Sequence, residues 1–103
     1  MIIKNGHVID PVSGLNEPMD ILIRGSVIKK IAERGQIAYG DEKVIDAAGY
    51  FVSPGFIDIH SHFRDPGNGS EDIISGAKVA AKGGYTTAVL MANTTPPIDN
   101  MIM

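Results

Sequence analysis

Residues 56–91 read FIDIHSHFRDPGNGSEDIISGAKVAAKGGYTTAVLM, and the hydrophobic period changes twice along them. Phe56-Ile57-Asp58-Ile59-His60 is apolar and short, which predicts a strand. Residues 61–69 hold Pro66, Gly67, Asn68 and Gly69 and predict a loop. Ser70 is a suitable N-cap, with Glu71 and Asp72 complementing the helix dipole in the first turn. Ile73, Ile74, Ala77, Ala80 and Ala81 then fall on one helical face, and Gly83-Gly84 stops the helix. Tyr85-Thr86-Thr87-Ala88-Val89-Leu90-Met91 is β-branched and apolar, a second buried strand. Strand, helix and strand in this order make a βαβ unit with two parallel strands, and so an α/β fold.

Towards the N-terminus the texture is different. Residues 1–52 read as short strands joined by tight turns. Asn5-Gly6 lies between Ile2-Ile3 and Val8-Ile9, the pattern of a hairpin turn. Residues 20–31 repeat that form with Gly25 near the turn, and residues 44–52 give a strand, a turn and a strand. Pro11, Gly14 and Pro18 mark a loop between the first two hairpins. The expected organisation is a small β-sandwich portion over 1–52 and a βαβ portion over 53–103. Asp99 or Asn100 would cap a further helix, so the chain stops at Met103 where another βα repeat is expected to continue.

Composition narrows the function classes. A chain of 103 residues, 44% hydrophobic and 20% charged, is ordinary for a soluble globular domain. A net charge of −3 gives no basic surface for nucleic acid. Cysteine is absent, which excludes disulfides and thiolate metal sites. No apolar run approaches the ~20 residues of a membrane span. Lys4 and Gly6 interrupt the N-terminus too early for a signal peptide, so a cytoplasmic protein is expected.

The chemistry concentrates in Asp58-Ile59-His60-Ser61-His62-Phe63-Arg64-Asp65. His60 and His62 are two residues apart, on one side of an extended chain. Two imidazoles so placed can reach one metal ion at ~2.0–2.1 Å. They stand at the carboxyl end of the first βα strand, where parallel α/β folds collect their ligands, and Asn93 stands just past the end of the second. Arg64 offers a planar fork to a carboxylate or phosphate. Each residue also has a plainer reading. A bare His-x-His is more often a hydrogen-bonded or exposed pair than a metal site, Arg64-Asp65 also fits a surface ion pair, and Asn93 a turn. Asp58 fits a strand-end carboxylate with a structural partner, and His7 an exposed histidine with no role.

Taken together, residues 54–67, PGFIDIHSHFRDPG, resemble the first metal-binding segment of the dihydroorotases, in the amidohydrolase superfamily. Glu71-Asp72-Ile73, Ala80-Ala81-Lys82-Gly83-Gly84-Tyr85-Thr86-Thr87 and Met91-Ala92-Asn93-Thr94 continue the resemblance, with Ala92 where that family usually has proline. The strands of residues 1–52 are similar to the small β-sandwich that precedes the barrel in these enzymes.

The resemblance implies the first strand–helix–strand of a TIM barrel. It makes His60 and His62 ligands of one or two zinc ions (Zn2+). The expected activity is reversible hydrolysis of the cyclic amide of dihydroorotate to N-carbamoyl-aspartate, in pyrimidine biosynthesis. Arg64 and Asn93 would hold the substrate carboxylate, which hydantoins and dihydropyrimidines lack. No catalytic residue is expected among these 103: the proton-shuttling aspartate and remaining ligands belong to later barrel strands, so the chain alone is expected to be inactive. A homo-oligomer, and association with other pyrimidine-pathway enzymes, are further implications. The alternatives are an allantoinase- or hydantoinase-like amidohydrolase, or a non-catalytic dihydroorotase-like assembly protein. Proteins of the last kind commonly lack the metal histidines present here.

Overall fold

The computed structural model describes residues 1–62 and 73–91. The chain divides into two compact units, Met1–Pro54 and Gly55–Met103.

The first unit is a five-stranded sheet. Its strands are β1 (Ile2–Asp10), β2 (Leu15–Arg24), β3 (Val27–Ala32), β4 (Val44–Asp46) and β5 (Phe51–Val52). The order is β3-β2-β1-β4, with β5 also paired to β1. The β1–β2 and β2–β3 pairs are antiparallel, whereas β4 and β5 run parallel to β1. Gly25, at φ 60°, makes the expected tight turn between β2 and β3.

The Asn5-Gly6 expectation is corrected. Residues 2–10 do not fold back at this pair but form the single strand β1. The register against β2 slips between Ile3 and Gly6, and Asn5 takes φ 66°, so the pair makes a β-bulge. Asn-Gly signals a local readiness for positive φ. Here β2 on one edge and β4 and β5 on the other keep the chain extended, and the bulge uses that readiness instead. Pro18 is also displaced, lying within β2 opposite His7. β3 pairs with β2 only from Asp20 onward, so this stretch of β2 has an open edge, where a residue lacking N–H is tolerated.

Ile2, Val8, Ile21, Ile37 and Ala47 form the buried apolar core of this unit. Each large aliphatic side chain so buried contributes roughly 1.5–3 kcal/mol. Asp20 is 1% exposed, and its carboxylate accepts the N–H groups of Asn5 at 2.9 Å and Gly35 at 3.0 Å. A buried carboxylate persists only with such partners. His7 is corrected too: its Nε2 lies 2.6 Å from Asn16 Oδ1, and its ring meets Phe51 edge-on at 5.4 Å. It ties β1 to β2 and β5.

Three surface carboxylates have acidities lowered by their partners. The N-terminal ammonium and then Arg24 hold Glu42 below its ordinary value. The Asn5 carboxamide and the Ala48 N–H do so for Asp46, and the Ser13 hydroxyl and Val12 N–H for Asp10.

The second unit contains β6 (Phe56–Ser61), α1 (Ile73–Lys82) and β7 (Tyr85–Leu90). β6 and β7 are parallel, as the βαβ reading requires. Gly84, at φ 91°, closes the helix, with the Gly83 N–H donating to Val79 O and the Gly84 N–H to Ala81 O, both at 3.0 Å. The proposed cap Ser70 and first-turn Glu71 and Asp72 lie outside the described residues. The apolar helix face is only partly covered. Gly76 is buried and Ile73 and Ala80 are half-buried, while Ile74, Ala77 and Ala81 are exposed. A sheet of two strands is too narrow to cover a whole apolar stripe, which spans 100° or more of a helix. Among the described residues no helix is long and apolar enough to cross a membrane.

Candidate functional site

The site starts from the alternation of β6. Ser61 is 9% exposed and turns inward, where its Oγ donates to Val89 O at 2.9 Å. The Met91 N–H donates to Ser61 O at 2.9 Å, fastening the end of β6 to the end of β7. With Ser61 anchored inward, its neighbours His60 and His62 must project to the other face, and both are exposed. Their Nε2 atoms lie 3.0 Å apart, with ring centroids at 4.9 Å and an interplanar angle of 61°. Asp58 is the local brace: its Oδ1 accepts the His60 N–H at 3.0 Å.

This geometry meets the requirement for a shared cation. Two Nε2 atoms 3.0 Å apart can both bind an ion at ~2.0–2.1 Å. Without a cation, one Nε2 must carry the proton and the other accept it. Among the described residues no group of three or more His, Cys, Asp or Glu side chains is placed to hold a metal. Two imidazole nitrogens are fewer donors than the four that zinc takes.

Of the four residues singled out in the sequence, the structure brings His60 and His62 together. Arg64 and Asn93 lie outside the described residues. Ser61 was missed, although a small polar residue at an inward position of an apolar strand is the available signal for such an anchor. The cavity of about 290 Å³ between α1 and the β6–β7 pair, lined by Asp58, Ser61, Gly76, Val79, Tyr85 and their neighbours, includes neither histidine. It is the space under the helix, and the two imidazoles do not line it.

Comparison with known proteins places the chain among amidohydrolases. The sequence pattern of the Amidohydrolase family matches residues 51–103, just over half of the chain. The chain is 55% identical over 103 residues to a dihydroorotase of Clostridium acetobutylicum and 54% identical over 101 residues to one of Streptococcus thermophilus. It covers 24% of the length of each, and 98% and 97% of this chain is matched. Among solved structures, it is similar to the dihydropyrimidinase of Brevibacillus agri, with a TM-score of 0.74 and 36% identity over 88% of this chain and 20% of that one. A D-hydantoinase from a Bacillus species gives a TM-score of 0.75 at 33% identity, with the same coverage.

Proposed function

The chain belongs to the amidohydrolase family, and from that membership we propose that these residues are part of a zinc-dependent dihydroorotase. The observation that carries the reading is the convergence of two imidazole nitrogens at the end of β6, in a chain 55% identical to a dihydroorotase. Since the chain spans 24% of such relatives, the other ligands and the rest of a TIM barrel would lie outside these residues. The reaction would be ring opening of dihydroorotate to N-carbamoyl-aspartate, and its reverse, in the cytoplasm as a step of pyrimidine biosynthesis.

Each candidate site residue has a defined task in this proposal. His60 and His62 would hold the ion, and an imidazole ligates only when it is neutral. Zinc bound there would supply Lewis acidity to the scissile carbonyl and to water. Ser61 and the Met91 N–H fix the strand end, so that the two imidazoles keep their separation. Arg64 would pair with the substrate carboxylate through its fork, and Asn93 would add a hydrogen bond. The proton-transferring group would come from outside these residues.

A second reading, a hydantoinase- or dihydropyrimidinase-like enzyme, has the solved structures in its favour at 33–36% identity. The higher identity to dihydroorotases supports the first. The substrate carboxylate separates them. The protein at full length, loaded with zinc, should open dihydroorotate in preference to hydantoin or dihydrouracil. Arg64→Met should lower kcat/KM for dihydroorotate about ten- to a hundredfold, the worth of one charge-assisted pair. Hydantoin turnover with no response to Arg64→Met would favour the second reading. No turnover of any cyclic amide with zinc bound would favour a non-catalytic assembly role.

A further inference from the structure

The Asn5-Gly6 pair has no part in the proposed chemistry, yet it is reactive in its own right. A glycine amide nitrogen has no neighbouring Cβ to hinder it, and it can attack the carboxamide carbon of a preceding asparagine. Whether it does so depends on the freedom of the asparagine, and here the fold restricts Asn5 on three sides. Its N–H donates to Asp20 Oδ1 at 2.9 Å, its C=O accepts from Arg34 Nη2 at 3.1 Å, and its Nδ2 donates to Asp46 Oδ1 at 3.1 Å. Asp46 as a carboxylate can only accept, so the amide nitrogen must be the atom facing it. The carboxamide is thus tethered towards β4. Gly6 is buried and paired in register with Met19 of β2.

We propose that Asn5-Gly6 is a deamidation site gated by the fold: protected while β1 is paired with β2 and β4, and reactive when that sheet opens. In the step itself, the Gly6 amide nitrogen gives up its proton and bonds to Asn5 Cγ. The Cγ–Nδ2 bond breaks and ammonia leaves. Water then opens the cyclic imide at either carbonyl, giving aspartate or isoaspartate at position 5, with no change of oxidation state. Both products oppose the native sheet. Isoaspartate adds a methylene to the backbone of β1 at its bulge. Aspartate replaces the donor to Asp46 with a second carboxylate, while Asp20 from β2 stands at the Asn5 N–H. Lys4 on β1 and Arg34, from the segment after β3, supply nearby positive charge. A chain that reacts while open is therefore hindered from closing again, and the site acts as a one-way record of unfolding.

The test is to incubate the full chain at mildly alkaline pH, in native buffer and in denaturing urea, and follow conversion at Asn5 by peptide mass mapping. Conversion should be at least about tenfold slower in native buffer, because it must wait for local opening of the sheet. Asn5→Asp provides an independent measurement. It should unfold at lower urea than the parent at neutral pH, and the difference should shrink as acid protonates position 5 and Asp46, with Asp20, Lys4 and Arg34 unchanged in sequence. Equal conversion rates in buffer and urea would overturn the gating. An Asn5→Asp chain as stable as the parent at neutral pH would overturn the one-way record.

Discussion

Gly55 immediately precedes β6, the strand that carries His60, and its lack of a side chain is structurally required. A Cβ at this position would meet Thr86 Oγ1 and Cγ2 and lie 2.7 Å from Thr86 Cβ. Rotation of the threonine could move Oγ1 and Cγ2 aside, but its Cβ is fixed to the backbone of β7. Reaching ordinary contact, 3.4 Å or more, means separating β6 from β7 by about 0.7 Å at this point. The first bond to suffer is Phe56 N–H to Gly84 O, 2.9 Å, at the entry to the ladder. Gly55→Ala should therefore cost about 1–3 kcal/mol, the range for overpacking. Thr86→Ala removes two of the three opposing atoms and should rescue in part. Thr86→Gly removes all three, although alone it should cost about 1 kcal/mol in strand propensity. A double-mutant cycle in urea, read at full length, should give Gly55→Ala and Thr86→Gly a favourable coupling of about 1–2 kcal/mol. Additive effects, with coupling under about 0.5 kcal/mol, would refute the argument that contact with Thr86 is what excludes a side chain at residue 55.

Two further predictions concern protons and zinc. Asp10, Glu42 and Asp46 have folded acidities below their ordinary values of 3.8, 4.5 and 3.8, so the stability they add is present above those values and lost as pH falls through the lowered ones. Unfolding midpoints of the parent should drop below about pH 4.5, with a shallower drop in Asp46→Asn; an identical acid limb in the two would refute the Asp46 contribution. Zinc affinity, measured by competition with a chelating dye, should fall in acid, because metal ligands compete with protons. His60→Ala and His62→Ala should each weaken it at least about tenfold, since even losing the partner of a ligand costs that much. Unchanged affinity in both variants would remove the pair from the metal site.

The second unit was legible in the sequence because its signals are local and mutually consistent. The apolar runs at 56–60 and 85–91, the 3.6-residue pattern between them and Gly83-Gly84 all call for the same βαβ unit. The hairpin at Gly25 was legible for the same reason. Asn5-Gly6 was misleading because its outcome is set by residues far along the chain. The partners that make it a bulge, Asp20, Arg34 and Asp46, are 15, 29 and 41 residues away. Pro18 failed likewise: the proline rule depends on which edge of β2 is covered, and that edge is defined by where β3 begins to pair. For the helix, periodicity shows that a face is apolar but not how much of it two strands can cover.

The histidine pair was legible for a more specific reason. In an extended strand a separation of two residues converts directly into a shared direction, so spacing alone predicts that His60 and His62 converge. What spacing cannot supply is the anchor that gives that direction a meaning. Ser61 provides it: a hydroxyl bound to Val89 O and a carbonyl bound to the Met91 N–H decide which face of β6 is inward. A one-residue slip of β6 would exchange the faces, burying two imidazoles and exposing the serine. That exchange is opposed twice, by the unpaired polar groups it would bury and by the loss of both Ser61 bonds. Strand register therefore sets the direction of His60, and the two Ser61 bonds hold the strand end from which His62 follows.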